Sequence, residues 1–117
     1  MEYISLDVWK EARKLTNLVY ELTKSYPNEE IFGLTSQMRR SAVSVPSNIA
    51  EGCGRDTSKE TVHFVFIARG SLYELETQLY ISLDQKYLSE EQFTIHQNQI
   101  IICKKLLNGF INYYRNK

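Results

Sequence analysis

The chain is 117 residues long, enough for one domain with a core that needs no disulfide or metal staple. Fourteen basic and fourteen acidic side chains cancel to a formal charge of zero, so bulk charge does not mark a nucleic-acid binder and any such role must come from local clustering. Cys53 and Cys103 are fifty positions apart in no metal-ligand spacing, which argues against a disulfide framework and for free thiols in a reducing compartment.

The opening MEYISLDVWKEARK is charged too early for a signal peptide, and no apolar run approaches the ~18 residues of a membrane span. A soluble cytoplasmic domain with no membrane contact is expected. The first helical segment runs from about Leu6 to Ser25. Val8, Ala12, Leu15, Val19, Leu22 and Tyr26 recur at spacings of three and four, the signature of one buried face. Ser5 or Asp7 can cap it, and Pro27 ends it by disfavouring helical geometry at Tyr26.

The second segment is predicted from about Glu29 to Glu51, with Ile31, Leu34, Met38, Ala42, Val45 and Ile49 inward. Pro46 has no amide for the Ala42 carbonyl, so a kink is expected there, not a stop. Gly52 and Gly54 read as a flexible C-terminal cap. The third segment starts at Thr57 or Ser58, with Glu60 near enough for a capping box, and runs to about Gln85 on Val65, Ala68, Leu72, Leu75 and Leu79. The fourth, Ser89 to about Tyr114, opens on a Ser89–Gln92 box. Phe93, Ile100, Cys103, Leu107, Phe110 and Tyr114 face inward, and Arg115 and Lys117 suit the negative end of its dipole. Short connections make this an all-α protein, an antiparallel up-down-up-down four-helix bundle with a kinked second helix, as a single domain over residues 1–117.

Two helices carry a second ordered face. On the third, Phe66, Tyr73, Tyr80 and Tyr87 repeat every seven residues, with Arg69 and Glu76 on the same side. Such a stripe is either a wide core face whose hydroxyls reach water or a subunit interface, where tyrosine and arginine are enriched. On the second helix, Gln37, Arg40, Ser41, Ser44, Asn48 and Glu51 fall within about a hundred degrees of each other. Few lysines and glutamates interrupt them, so a partly buried polar network is expected, ended by Arg40 and Glu51. Gly70, in mid-helix, implies that something approaches its backbone closely, since glycine there costs ~1 kcal/mol relative to alanine.

Catalytic chemistry finds little support. Glu60-x-x-His63 is half of a di-iron motif, but Phe93 stands three residues before His96 where the second glutamate would be. Both histidines are expected at the surface or near a cap. No serine or cysteine has a base beside it in sequence, and Gly52-x-Gly54 follows a helix, unlike a phosphate loop. No enzyme, metal or cofactor is expected. The basic side chains Lys10, Arg13, Lys14, Arg39, Arg40 and Arg55 look like ordinary solvated residues one at a time. Repeated around a symmetric assembly, they would form a positive band that tracks phosphates. No aromatic platform interleaves with them along the sequence, so recognition is expected through charge and shape.

The blocks Leu6–Arg13, Phe32–Gly52 and Ala68–Leu79, above all QMRRSAVSVPSNIAEG, resemble the four-helix bundle family that includes proteins encoded in intervening sequences of bacterial 23S rRNA genes. The resemblance covers essentially the whole chain. It implies an antiparallel bundle assembled as a homopentameric ring, and a more distant kinship with the accessory variability determinant of diversity-generating retroelements, a pentamer that binds nucleic acid and a reverse transcriptase. Where Arg69 stands, the family often has a small or apolar residue. Nucleic-acid binding, RNA favoured over DNA, is the function this implies, with Lys10, Arg13, Lys14, Arg39, Arg40 and Arg55 as its residues. The alternative is a scaffold ring that docks another protein.

Overall fold

A computed structural model describes residues 2–116. Four helices span nearly all of them: α1 (Asp7–Thr23), α2 (Leu34–Cys53), α3 (Ser58–Asp84) and α4 (Glu90–Arg115), with short 3-10 turns at Tyr3–Ser5 and Asn28–Glu30. Each helix packs on the next, and α4 returns to α1. Contacts pair rising numbers on one helix with falling numbers on its neighbour. Thr16 meets Ala42 and Thr23 meets Arg39; Gly52 meets Thr61 and Ser41 meets Glu74; Arg69 meets Asn108 and Glu76 meets Gln97. That is the pairing of an up-down-up-down bundle.

The apolar stripes of α1 and α3 are buried as their spacing predicts, from Val8 to Tyr26 and from Val65 to Leu79. Two stripes need correction. Ile31 is 53% exposed, because α2 starts at Leu34 and not at Glu29. The Glu30 carboxylate causes this: its Oε1 accepts the Leu34 amide at 3.0 Å and so caps α2 from outside, leaving Ile31 and Phe32 before the helix. Leu34 itself is only half-buried. On α4, Phe93 and Phe110 are half-buried at the flank of the core, Tyr114 is half-buried beyond it, and Ile111 takes the inner position beside Leu107.

His96 also departs from expectation. His63 is exposed, but His96 is buried, with Nδ1 2.7 Å from the Gln92 carbonyl and Nε2 3.2 Å from the Leu18 carbonyl. The ring ties α4 to α1. Gly52 is not a flexible cap either. It lies inside α2, where an added Cβ would stand 3.0 Å from the Thr61 carbonyl oxygen and 3.2 Å from Phe64 Cβ, and Thr61 Oγ1 donates to the Gly52 carbonyl at 2.8 Å. The α2–α3 corner is tight because that position has no side chain. Gly70 behaves in the opposite way: nothing lies within 4 Å of a Cβ built there, so the close approach expected of it does not occur within the chain.

α2 runs through Pro46 without interruption. The Ala42 carbonyl, which loses its usual partner, has Thr16 Oγ1 of α1 at 3.0 Å. The same hydroxyl lies 3.0 Å from the Ala12 carbonyl, so its one proton is shared between a bond along α1 and a bond across to α2.

Candidate nucleic-acid interface

Four α1 residues, Trp9, Arg13, Thr16 and Tyr20, fall on one line of the helix by their spacing. Arg39, Val43 and Pro46 make the matching line on α2. A shallow groove runs between the two lines. One half is lined by Trp9, Arg13, Asn17 and Ser47, the other by Tyr20, Ser36, Arg39 and Arg40, and Val43 belongs to both. A further hollow continues past Ile31 and Arg39 to Lys24. No carboxylate lines any of the three hollows. In a chain with equal numbers of acids and bases, that is charge segregation.

The cations differ in how they are held. Arg39 is fixed: its Nε donates to Thr23 Oγ1 at 2.9 Å and its guanidinium lies 4.8 Å from the Tyr20 ring centre. The Thr23 hydroxyl in turn donates to the Val19 carbonyl at 2.8 Å, so the bond is part of a chain into α1. Arg13 lies 5.5 Å from the Trp9 ring centre. These distances suit cation–π contact. Among the described residues, Lys10, Arg13, Lys14, Arg39 and Arg40 make no ion pair, whereas Lys24, Arg55 and Lys104 are bound to Glu21, Glu51 and Glu76.

Of the six predicted basic residues, Arg13, Arg39 and Arg40 come together along the groove. Lys10 and Lys14 share an adjoining hollow on α1 with Arg13 and Glu21. Arg55 lies outside the lining, held by Glu51 at 3.0 Å and stacked 4.4 Å from the Phe64 ring centre. The expectation that no aromatic interleaves with the basic residues is overturned. The Trp9–Arg13 pair was present in the sequence as an i,i+4 spacing, while the Tyr20–Arg39 pair crosses two helices and left no local signal.

The polar stripe of α2 is engaged in its middle. Ser44 and Ser71 bond at 2.9 Å, Asn48 Nδ2 donates to the Ser44 carbonyl at 2.8 Å, and Ser41 donates to Glu74 at 2.7 Å. Gln37 and Arg40 are exposed and make no side-chain hydrogen bond among the described residues, so Arg40 belongs to the groove and not to the network. Among the described residues the Glu51 side chain bonds only to Arg55.

The heptad stripe of α3 faces the α4 seam. Phe66 lies under Arg69 and Arg115, Tyr73 under Lys104, and Tyr80 packs on Phe93 with ring centres 4.9 Å apart. Tyr87 packs on Tyr26, and its hydroxyl donates to Glu30 Oε2 at 2.9 Å. Burial alone would raise the Glu76 carboxyl; hydrogen bonds from Lys104 and Gln97, with the ammonium charge, outweigh it and hold Glu76 below the usual carboxylate range. Tyr73 and Tyr80 remain 45% and 48% exposed.

Both cysteines are free. Burial, with a smaller contribution from Glu11, pushes the Cys103 thiol up to about 12, far from a reactive thiolate. Among the described residues, no three His, Cys, Asp or Glu side chains are grouped to hold a metal ion, and no helix is long and apolar enough to cross a membrane.

Comparison with known proteins gives a consistent picture. A family model described as 23S rRNA-intervening sequence protein matches residues 5–109. The crystal structure of a protein of unknown function from the S23 ribosomal protein family of Bacteroides thetaiotaomicron is similar in fold. It has a TM-score of 0.80 and 21% identity over 89% of this chain and 97% of that one. Among curated proteins nothing matches.

Proposed function

The chain belongs to the 23S rRNA-intervening sequence protein family, and we propose that it is a non-enzymatic nucleic-acid-binding protein, acting as a homopentamer, with RNA the favoured ligand. The α1–α2 groove is the binding surface. One observation carries this reading: Arg13, Arg39 and Arg40 line two adjoining hollows that meet at Val43 and that no carboxylate lines, in a chain whose net charge is zero. Lys10 and Lys14 extend the positive surface along α1. Leaving these cations without acidic partners suits a surface whose counter-charge arrives with the ligand. The pentamer rests on the family resemblance, supported by the half-exposed rings of Tyr73 and Tyr80 and the open backbone at Gly70.

The test is anisotropy of labelled structured RNA and single-stranded DNA against a salt series. Binding should weaken linearly in log salt, with a slope of about −0.7 to −0.9 per phosphate contacted. Arg13→Glu with Arg39→Glu should remove most of it while helicity and assembly state are retained. Unchanged binding in that variant would take these residues out of the site. A second reading, a scaffold ring that docks another protein, is favoured by Phe32, which is 95% exposed beside Ile31. It takes over if neither probe binds at low salt.

A further inference from the structure

We infer that the α1–α2 groove takes unpaired nucleotides, stacking their bases on Tyr20 and Trp9 while Arg13 and Arg39, beside those rings, hold the phosphates. This rests on the nucleic-acid reading above and narrows it from charge and shape to a strand whose base faces are open. Trp9 and Tyr20 sit eleven residues apart on one line of α1, about 16 Å by helical rise. Each ring is paired with its own guanidinium, at 5.5 Å and 4.8 Å. Planar guanidinium and aromatic faces are what splayed bases stack upon. Two such sites separated by Val43 make a platform that repeats along a strand, and the faces of bases inside a duplex are already covered by their neighbours.

The polar lining points the same way. Asn17, Ser36 and Ser47 make no side-chain hydrogen bond among the described residues, so their donors and acceptors are open to base edges. A surface built only to track a duplex backbone has no use for two rings beside its cations. The absence of any carboxylate fits a polyanion over a peptide of mixed charge.

Trp9 is the single tryptophan, so its fluorescence reports from inside the groove. The chain would be titrated with a single-stranded oligouridylate, with a duplex RNA of the same length, and with inorganic polyphosphate as a polyanion without bases. The expected result is quenching and tight binding with the single strand, weaker binding with the duplex, and no quenching with polyphosphate. Tyr20→Leu should lower single-strand affinity by about tenfold, Tyr20→Phe should restore it, and neither should alter polyphosphate binding. Tyr20 is 40% exposed, so its replacement leaves the core intact. Duplex binding at least as tight as single-strand binding, or a Tyr20→Leu variant that loses nothing, overturns the stacking inference alone. Failure of all three ligands to bind overturns the nucleic-acid reading with it.

Discussion

Removing one hydroxyl tests how α2 tolerates its internal proline. Pro46 leaves the Ala42 carbonyl without an amide, and Thr16 Oγ1 stands 3.0 Å from that oxygen. Thr16→Val keeps the shape and nearly the same helix propensity, and deletes only the donor. Ala42 is 1% exposed, but Thr16 is half-buried at the floor of the groove, where water has partial access. An unsatisfied buried carbonyl costs roughly 1–3 kcal/mol, so partial access places the loss near the lower end, about 1 kcal/mol. With a urea m-value of about 1–3 kcal/mol/M, the midpoint should fall by roughly 0.3–1 M, followed by circular dichroism at one fixed protein concentration.

Pro46→Ala supplies the missing amide, so Thr16→Val in that background should cost little. The cycle should therefore show a coupling of about 1 kcal/mol. Equal losses in both backgrounds would refute the reasoning: the hydroxyl would then serve the Ala12 carbonyl, also at 3.0 Å, and not the gap left by the proline.

Lys86 carries φ of 63° in the α3–α4 turn, where the Tyr87 amide bonds the Ser82 carbonyl and the Lys86 amide bonds the Leu83 carbonyl. Because that left-handed position strains any residue with a Cβ, Lys86→Gly should raise stability by up to about 1 kcal/mol, read as a higher urea midpoint; a loss would refute it. Glu76 has its folded pKa held down by Lys104 and Gln97 against the opposing effect of burial. Its contribution is full above the unfolded carboxylate value and lost as pH falls through the lowered folded value. Glu76→Gln should therefore flatten the acid limb of stability against pH, and an unchanged limb would show that the pair is inert. Tyr73→Glu with Tyr80→Glu should dissociate the proposed pentamer without unfolding the bundle, measured by sedimentation; a pentamer that survives both changes would confine the stripe to the α3–α4 seam.

What the sequence disclosed was whatever repeats along one helix. The core stripes of α1 and α3 and the cap at Ser89 were legible because their partners lie three or four residues away. Several errors share one cause, a partner far along the chain or outside helical register. Ile31 kept the helical spacing, yet Glu30 takes the Leu34 amide and Tyr87 bonds the same carboxylate from α3's far end, so α2 starts later. His96 reads as a polar surface residue until the Leu18 carbonyl is placed beside it. Lys86 gives no warning of a left-handed turn, since glycine or asparagine would be its usual occupant.

Pro46 joins fold to site. Its sequence reading, a kink in a helix, is local; its structural consequence is a carbonyl that α1 satisfies through Thr16. Thr16 falls between Trp9 and Tyr20 on their own line, and both Thr16 and Pro46 line the groove. The cross-helix bond therefore fixes the separation of α1 and α2 midway between the two ring–guanidinium pairs. Groove width is thus tied to a half-buried polar contact as well as to the side chains proposed to bind. Thr16→Val should consequently weaken single-strand binding even though threonine at that position need not touch the ligand, and it should do so less when Pro46 is alanine. A Thr16→Val chain that binds as well as the original would separate the proline's role in the fold from any role in the site.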